Sequence, residues 1–300
     1  MAASATVKIA ISQLCSTSSK AHNLAVVRDL VSKAASKGCK MVFLPECFSL
    51  MSTSSKMTIE ESEAVPDGDT VREVSSIARE NKVWISGGSI HERADEVEEG
   101  KVWNTGFVVD DMGEFRGKYR KAHLFTIETP SVTLGETNTT LSGSSLTCIR
   151  NTPVGTLGLS ICYDLRFPYL SSSLRYNGGA DVIIYPSAFT VPTGMDHWEV
   201  LLRARAIENQ CFVVAAAQAG RHNEKRSSYG HSMCVSPSGS VVSSGGGYSS
   251  FPSPPDDLPP PLKDFNVYAD VDLGEVRKAR ERIQVEKHRR EEDLGQVDVL

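Results

Sequence analysis

The feature that most constrains the fold is the alternation of two hydrophobic periods along the chain. Val7, Ile9 and Ile11 alternate within residues 7–14, which is strand spacing. Residues 21–37 then set Leu24, Val27, Leu30, Val31 and Ala34 at helical spacing, and Gly38 follows as a stop. Residues 41–44 form a short apolar run ended by Pro45-Glu46, and Asp69 stands as the cap of a helix bearing Val71, Val74 and Ile77. Strands are predicted over 83–90, 102–109 and 114–119. The second half repeats the style. Strands are predicted over 145–149, 154–162, 181–185, 211–217 and 267–271. Helices are predicted over 168–176, from Asp196 (with Glu199 completing a capping box) to Asn209, and from 273. Helices between some strands and tight turns between others predict an α/β chain with a mixed sheet.

A chain of 300 residues with 40% hydrophobic content has ample material for one core, so 1–300 reads as a single domain. Two segments stand outside that core. Residues 244–261 are rich in Ser, Gly and Pro and read as a flexible insertion, and 291–300 reads as a solvated tail. The net charge of −5 offers no basic footprint for nucleic acid. No apolar run approaches the ~20 residues that span a bilayer, and residues 1–6 lack a signal-peptide core. The seven cysteines are odd in number and include no Cys-x-x-Cys pair, which predicts reduced thiols and a cytoplasmic location.

Three polar residues interrupt apolar runs in the same manner: Glu46, Lys121 and Cys162. Together they make a chemical set. A carboxylate takes a thiol proton, the sulfur attacks an acyl carbon, and an ammonium stabilises the oxyanion. Cys162 ends an apolar run, and a helix can begin at Pro168. A turn there would aim backbone N–H groups and a helix N-terminus at the sulfur and favour a thiolate. No phosphate-binding glycine loop occurs, and the histidines lack zinc-ligand spacing, so no cofactor or metal is expected. His123 and His197 read as structural.

Five stretches then occur in a fixed order: Phe43-Leu-Pro-Glu46, Tyr119-Arg-Lys-Ala-His-Leu-Phe125, Leu159-Ser-Ile-Cys-Tyr-Asp-Leu-Arg-Phe-Pro168, Tyr185-Pro-Ser-Ala-Phe189 and the run from His197 to Asn209. In these the chain resembles the Nit branch of the nitrilase, or carbon–nitrogen hydrolase, superfamily. The resemblance implies a four-layer α-β-β-α sandwich. It implies Glu46 as general base, Lys121 as oxyanion donor and proton relay, Cys162 as nucleophile, and the Tyr163 amide in the oxyanion hole. Glu128 would be an accessory carboxylate, and Ser187, Ala188, Phe189 and Thr193 would line the substrate pocket. Arg166 either binds a substrate carboxylate or pairs with Asp164. Tyr169, Ser236 and Gln284 depart from the family pattern.

The implied activity is a thiol amidase acting on a small anionic amide with water, in a homodimer or larger homo-oligomer. Deaminated glutathione is the expected substrate, yielding 2-oxoglutarate and cysteinylglycine. The alternatives are an ω-amidase or N-carbamoyl amidohydrolase, or a non-catalytic scaffold that binds a partner through 244–261.

Overall fold

The computed structural model describes residues 6–94, 98–129, 132–248 and 264–290, with backbone alone over 127–129 and 132–134. The first half runs β1 (Val7–Gln13), α1 (Lys20–Ser36), β2 (Met41–Phe43), α2 (Ser55–Glu60), α3 (Asp69–Asn81), β3 (Trp84–Ser86), β4 (Ile90–Arg93), β5 (Val102–Val109) and β6 (Phe115–Arg120). A hairpin of β7 (Thr126–Thr129) and β8 (Val132–Gly135) follows, then β9 (Thr140–Leu141). The second half runs β10 (Thr147–Thr152), β11 (Gly155–Leu159), α4 (Pro168–Tyr176), β12 (Val182–Ile184), α5 (Val191–Asn209) and β13 (Phe212–Ala215). A second hairpin, β14 (Ala219–Asn223) and β15 (Arg226–Tyr229), precedes β16 (Met233–Val235) and β17 (Val241–Ser244). β18 (Phe265–Val271), α6 (Leu273–Arg282) and α7 (Val285–His288) close the described chain.

Two mixed sheets result. One has the order β18-β1-β2-β3-β5-β4, with β6 and β9 also on β5; the other is β10-β11-β12-β13-β16-β17. β1, β2 and β3 are parallel, as are β11, β12 and β13. The strand period of two decides which layer each side chain enters. Ile9, Ile11, Met41 and Phe43 face the second sheet, while Ala10, Val42 and Ile85 turn to Leu30, Val31, Val74 and Ile77 of α1 and α3. On the far side of the second sheet lie Leu170, Leu174, Trp198 and Leu202 of α4 and α5. The order is therefore α-β-β-α, as the resemblance implied. Each fully buried aliphatic side chain in these layers contributes about 1.5–3 kcal/mol.

Several boundaries differ from the sequence reading, each for a local reason. Helix α5 begins at Val191, with extended Thr190 as its N-cap and Pro192 in its first turn. Asp196 and Glu199 lie inside that helix, and Glu199 pairs with Arg203 one turn on. Gly68, not Asp69, is the N-cap of α3. The expected strand over 83–90 is broken at Gly88, whose φ is +40° and where a Cβ would lie 2.0 Å from the Pro45 carbonyl oxygen. That close approach seats the segment after β2 against β3 and β4. The expected insertion at 244–261 overlaps the fold at its start. Ser244 ends β17, Gly247 bridges Gly230, and buried Tyr248 donates its amide to the Tyr229 carbonyl at 3.1 Å. Residues 249–263 and the 291–300 tail lie outside the described residues.

All seven cysteines are free thiols. No described helix is long and apolar enough to cross a membrane.

Candidate active site

The polar ends of β2, β6, β11 and β12 meet between the sheets. This is where α/β topology leaves room for a ligand, beyond the carboxyl ends of parallel strands. Glu46 follows β2 and is 2% exposed. Its Oε1 accepts from Asn104 Nδ2 and Lys121 Nζ, each at 2.9 Å, and its Oε2 accepts from the Ala188 amide at 2.9 Å. Burial pushes this carboxyl up, but the Lys121 ammonium and bonds from Cys162 and Lys121 outweigh it, so its pKa falls below the ordinary value.

Lys121 immediately follows β6 and is 1% exposed. Its amide is fixed on the Asn104 carbonyl at 2.8 Å. Its Nζ donates to Glu46 and to both oxygens of Glu136, each at 2.9 Å. Burial pulls the ammonium down, yet the charges of Glu136 and Glu46 prevail and hold it well above the ordinary lysine value.

Cys162 opens a 3-10 turn, Cys162–Arg166, with φ at +49°, a conformation strained for any residue with a Cβ. Its amide donates to the Pro186 carbonyl at 3.0 Å, tying β11's exit to β12's. The expected thiolate is not the resting form. Burial, then the Glu46 charge, hold the thiol well above its ordinary pKa, against the pull of Lys121. The physical reason is local. Helix α4 starts only at Pro168, beyond the short 3-10 turn, and a carboxylate stands beside the sulfur.

Asp164 locks this turn to the Lys121 segment. Fully buried, it accepts from Tyr119 Oη at 2.8 Å, the His123 amide at 3.0 Å and the Ile161 amide at 2.9 Å, with His123 Nδ1 at 2.6 Å. His123 stacks on Phe167 at 3.6 Å and meets the Tyr169 hydroxyl at 2.5 Å, so it is structural. Asp164 has no oxygen spent on Arg166. That excludes the Arg166–Asp164 pair, and Arg166 Nη2 instead contacts His197 Nδ1 at 3.1 Å.

The remaining expected residues divide. The Tyr163 amide donates to no acceptor among the described residues, and its ring packs on Phe125 and Phe167. Ala188 holds Glu46 through its amide, and Phe189 packs against Trp198. Ser187 is fully buried with its hydroxyl on the Tyr185 carbonyl, so it contributes backbone only. Thr193 bonds Thr190 and closes the first turn of α5. Glu128 lies in β7, paired with Thr133, and its side chain is outside the described residues. The second carboxylate on Lys121 is Glu136.

Sequence reasoning missed Glu136, Asn104, Cys47 and His91. Asn104 had a usable signal, being a polar residue inside a strand whose eight positions are all buried. Cys47 and His91 lie side by side next to Glu46, sulfur to Nε2 at 3.9 Å. Burial holds Cys47 up at about 12 and His91 down at about 4, so both are neutral near pH 7. Among the described residues, no group of three or more His, Cys, Asp or Glu is placed to hold a metal ion.

A family model described as carbon-nitrogen hydrolase matches residues 8–281. The "Nitrilase and fragile histidine triad fusion protein NitFhit" of Drosophila melanogaster is 49% identical over 234 residues, 78% of this chain and 50% of that protein. The "Deaminated glutathione amidase" of Homo sapiens is 41% identical over 294 residues, 96% of this chain and 84% of that protein. The crystal structure of the C. elegans NitFhit protein superposes with a TM-score of 0.83 at 39% identity, over 96% of this chain and 66% of that one. The chain thus spans half the length of the Drosophila fusion protein and just under two thirds of the nematode one.

Proposed function

The chain belongs to the carbon–nitrogen hydrolase family, and from that premise we propose that it is a thiol amidase acting on deaminated glutathione. It is a hydrolase of carbon–nitrogen bonds other than peptide bonds. The observation that carries the finer reading is the meeting of one carboxylate, one ammonium and one thiol, from residues 46, 121 and 162, in a buried site.

Cys162 Sγ attacks the amide carbonyl as Glu46 takes its proton, so thiolate forms only with the new C–S bond. Lys121 Nζ and the Tyr163 amide hold the oxyanion. Glu46 returns the proton to the departing amine, and cysteinylglycine leaves. A water then loses its proton to Glu46 and attacks the thioester carbonyl. The C–S bond breaks, the sulfur recovers the proton, and 2-oxoglutarate is released. Glu136 keeps Lys121 charged throughout and takes the accessory role expected of Glu128.

An anionic substrate is supported by Arg226. Its exposed guanidinium has no ion pair among the described residues, and its charge acts on Glu46, Cys47 and His91. Arg166, paired with no carboxylate among the described residues, is a second cation for the same purpose. The protein acts as a homo-oligomer through α4 and α5, which expose Tyr169, Met195, Val200 and Ile207. Seven free thiols support a cytoplasmic site of action.

The deciding experiment compares kcat/KM for deaminated glutathione, 2-oxoglutaramate and a neutral aliphatic amide, with mass spectrometry for an acyl adduct on Cys162. Preference for the neutral amide, or an adduct on another cysteine, overturns the reading. Preference for 2-oxoglutaramate makes the protein an ω-amidase.

A further inference from the structure

A carboxylate offers about four lone-pair positions, two on each oxygen. On Glu46 three are taken by N–H donors. Oε1 carries both Asn104 Nδ2 and Lys121 Nζ, whereas Oε2 carries only the Ala188 amide. One position remains, and it is on Oε2. We propose that Asn104 is a positioning residue for the base: with Lys121 it occupies Oε1, and so commits Oε2 to the proton that leaves Cys162.

A second observation supports a role beyond packing. Asn104 is 3% exposed in an otherwise buried strand, and its Oδ1 has no hydrogen-bond partner. Buried polar atoms without partners are rare because each one destabilises the fold. A leucine here would relieve that defect. What the asparagine adds over leucine is its donor end, which reaches Glu46; its backbone carbonyl also fixes the Lys121 amide. The backbone contact survives any substitution, so the side chain's contribution can be isolated. No other side-chain donor but Lys121 reaches Oε1 among the described residues, and Lys121 is shared with Glu136. Losing Asn104 Nδ2 leaves the carboxylate free to rotate about its last bond and present either oxygen.

The inference rests on Glu46 as the base, so Glu46→Gln is measured alongside. Asn104→Leu removes the donor, and Asn104→Asp keeps the shape but sets an acceptor against Oε1. In Asn104→Leu, plateau kcat should fall about tenfold or more, with KM little changed and the melting temperature held or raised. The acid limb of kcat/KM should move up by about one to two pH units, because a carboxylate with fewer donors protonates more readily. Asn104→Asp should move it further. A purely structural asparagine would lower the melting temperature and leave the limb in place. The inference fails if the acid limb and plateau kcat are unchanged in the folded variants. It fails equally if both variants do not fold, since the side chain would then be structural. Full activity in Glu46→Gln would instead sink the underlying reading.

Discussion

Replacing Lys121 with methionine would test the electrostatic core of the site through stability alone. Lys121 and Glu46 are 1% and 3% exposed at the side chain and 2.9 Å apart, while Glu136 is 29% exposed. At an effective dielectric near 20, each contact is worth about 5–6 kcal/mol of attraction before desolvation is subtracted. Removing one partner of a buried pair costs about 3–5 kcal/mol, because the other charge stays buried and uncompensated. Glu136 can hydrate, so the penalty falls chiefly on Glu46. Lys121→Met should therefore lose about 3–5 kcal/mol at pH 8 by denaturant unfolding. The sign with pH follows from the shifts. The lowered Glu46 carboxyl adds stability above its unfolded value, and this is lost as pH falls. The raised Lys121 ammonium adds stability below its unfolded value, and this is lost only as pH rises through the folded one. Without Lys121, the buried Glu46 prefers to be protonated, so the cost of the substitution should shrink between pH 8 and pH 5. Adding Glu46→Gln should recover about 2–3 kcal/mol of it. Additive losses within about 0.5 kcal/mol, or a cost independent of pH, would refute the argument.

Glu46→Gln removes a negative charge that holds the Cys162 thiol up, so iodoacetamide should alkylate that cysteine faster at pH 7 even as turnover falls about 10²–10⁴-fold. Parallel slowing of both would show that Glu46 does not repel the thiolate. Lys121→Arg should lose about 10²–10³ in kcat, because a planar fork cannot replace a point ammonium between two carboxylates; near-parental turnover would contradict this. Arg226→Gln should raise KM for deaminated glutathione about tenfold and leave a neutral amide unaffected, and equal effects on both substrates would remove Arg226 from recognition.

What could be read from the sequence was what local pattern encodes. Strands with period two, the stop at Gly38 and the polar ends at Glu46, Lys121 and Cys162 were all visible, because each is set by neighbours in the chain. The ionisation of Cys162 was not. It depends on Glu46, which is far away in sequence, and on burial between two sheets. Glu136 was hidden for a similar reason. It sits in a short 3-10 turn, Glu136–Asn138, without periodicity, and only the preceding hairpin brings it to Lys121. Glu128 was expected as the accessory carboxylate by its position in a pattern, and its side chain lies outside the described residues. The start of α5 was misjudged because Asp196 and Glu199 have the right spacing for a cap, while Thr190 and Pro192 have the earlier and stronger claim. Asn104 obeyed the same rule that exposed Glu46 and was legible by it.

A cysteine held neutral beside a carboxylate has a bearing on how readily its sulfur is oxidised. Peroxide attacks thiolates, and a sulfur that carries its proton at rest climbs slowly towards sulfenic and sulfinic acid. In this site burial and the Glu46 charge hold the Cys162 thiol well above its ordinary pKa, which makes the sulfur a poor target for peroxide near neutral pH.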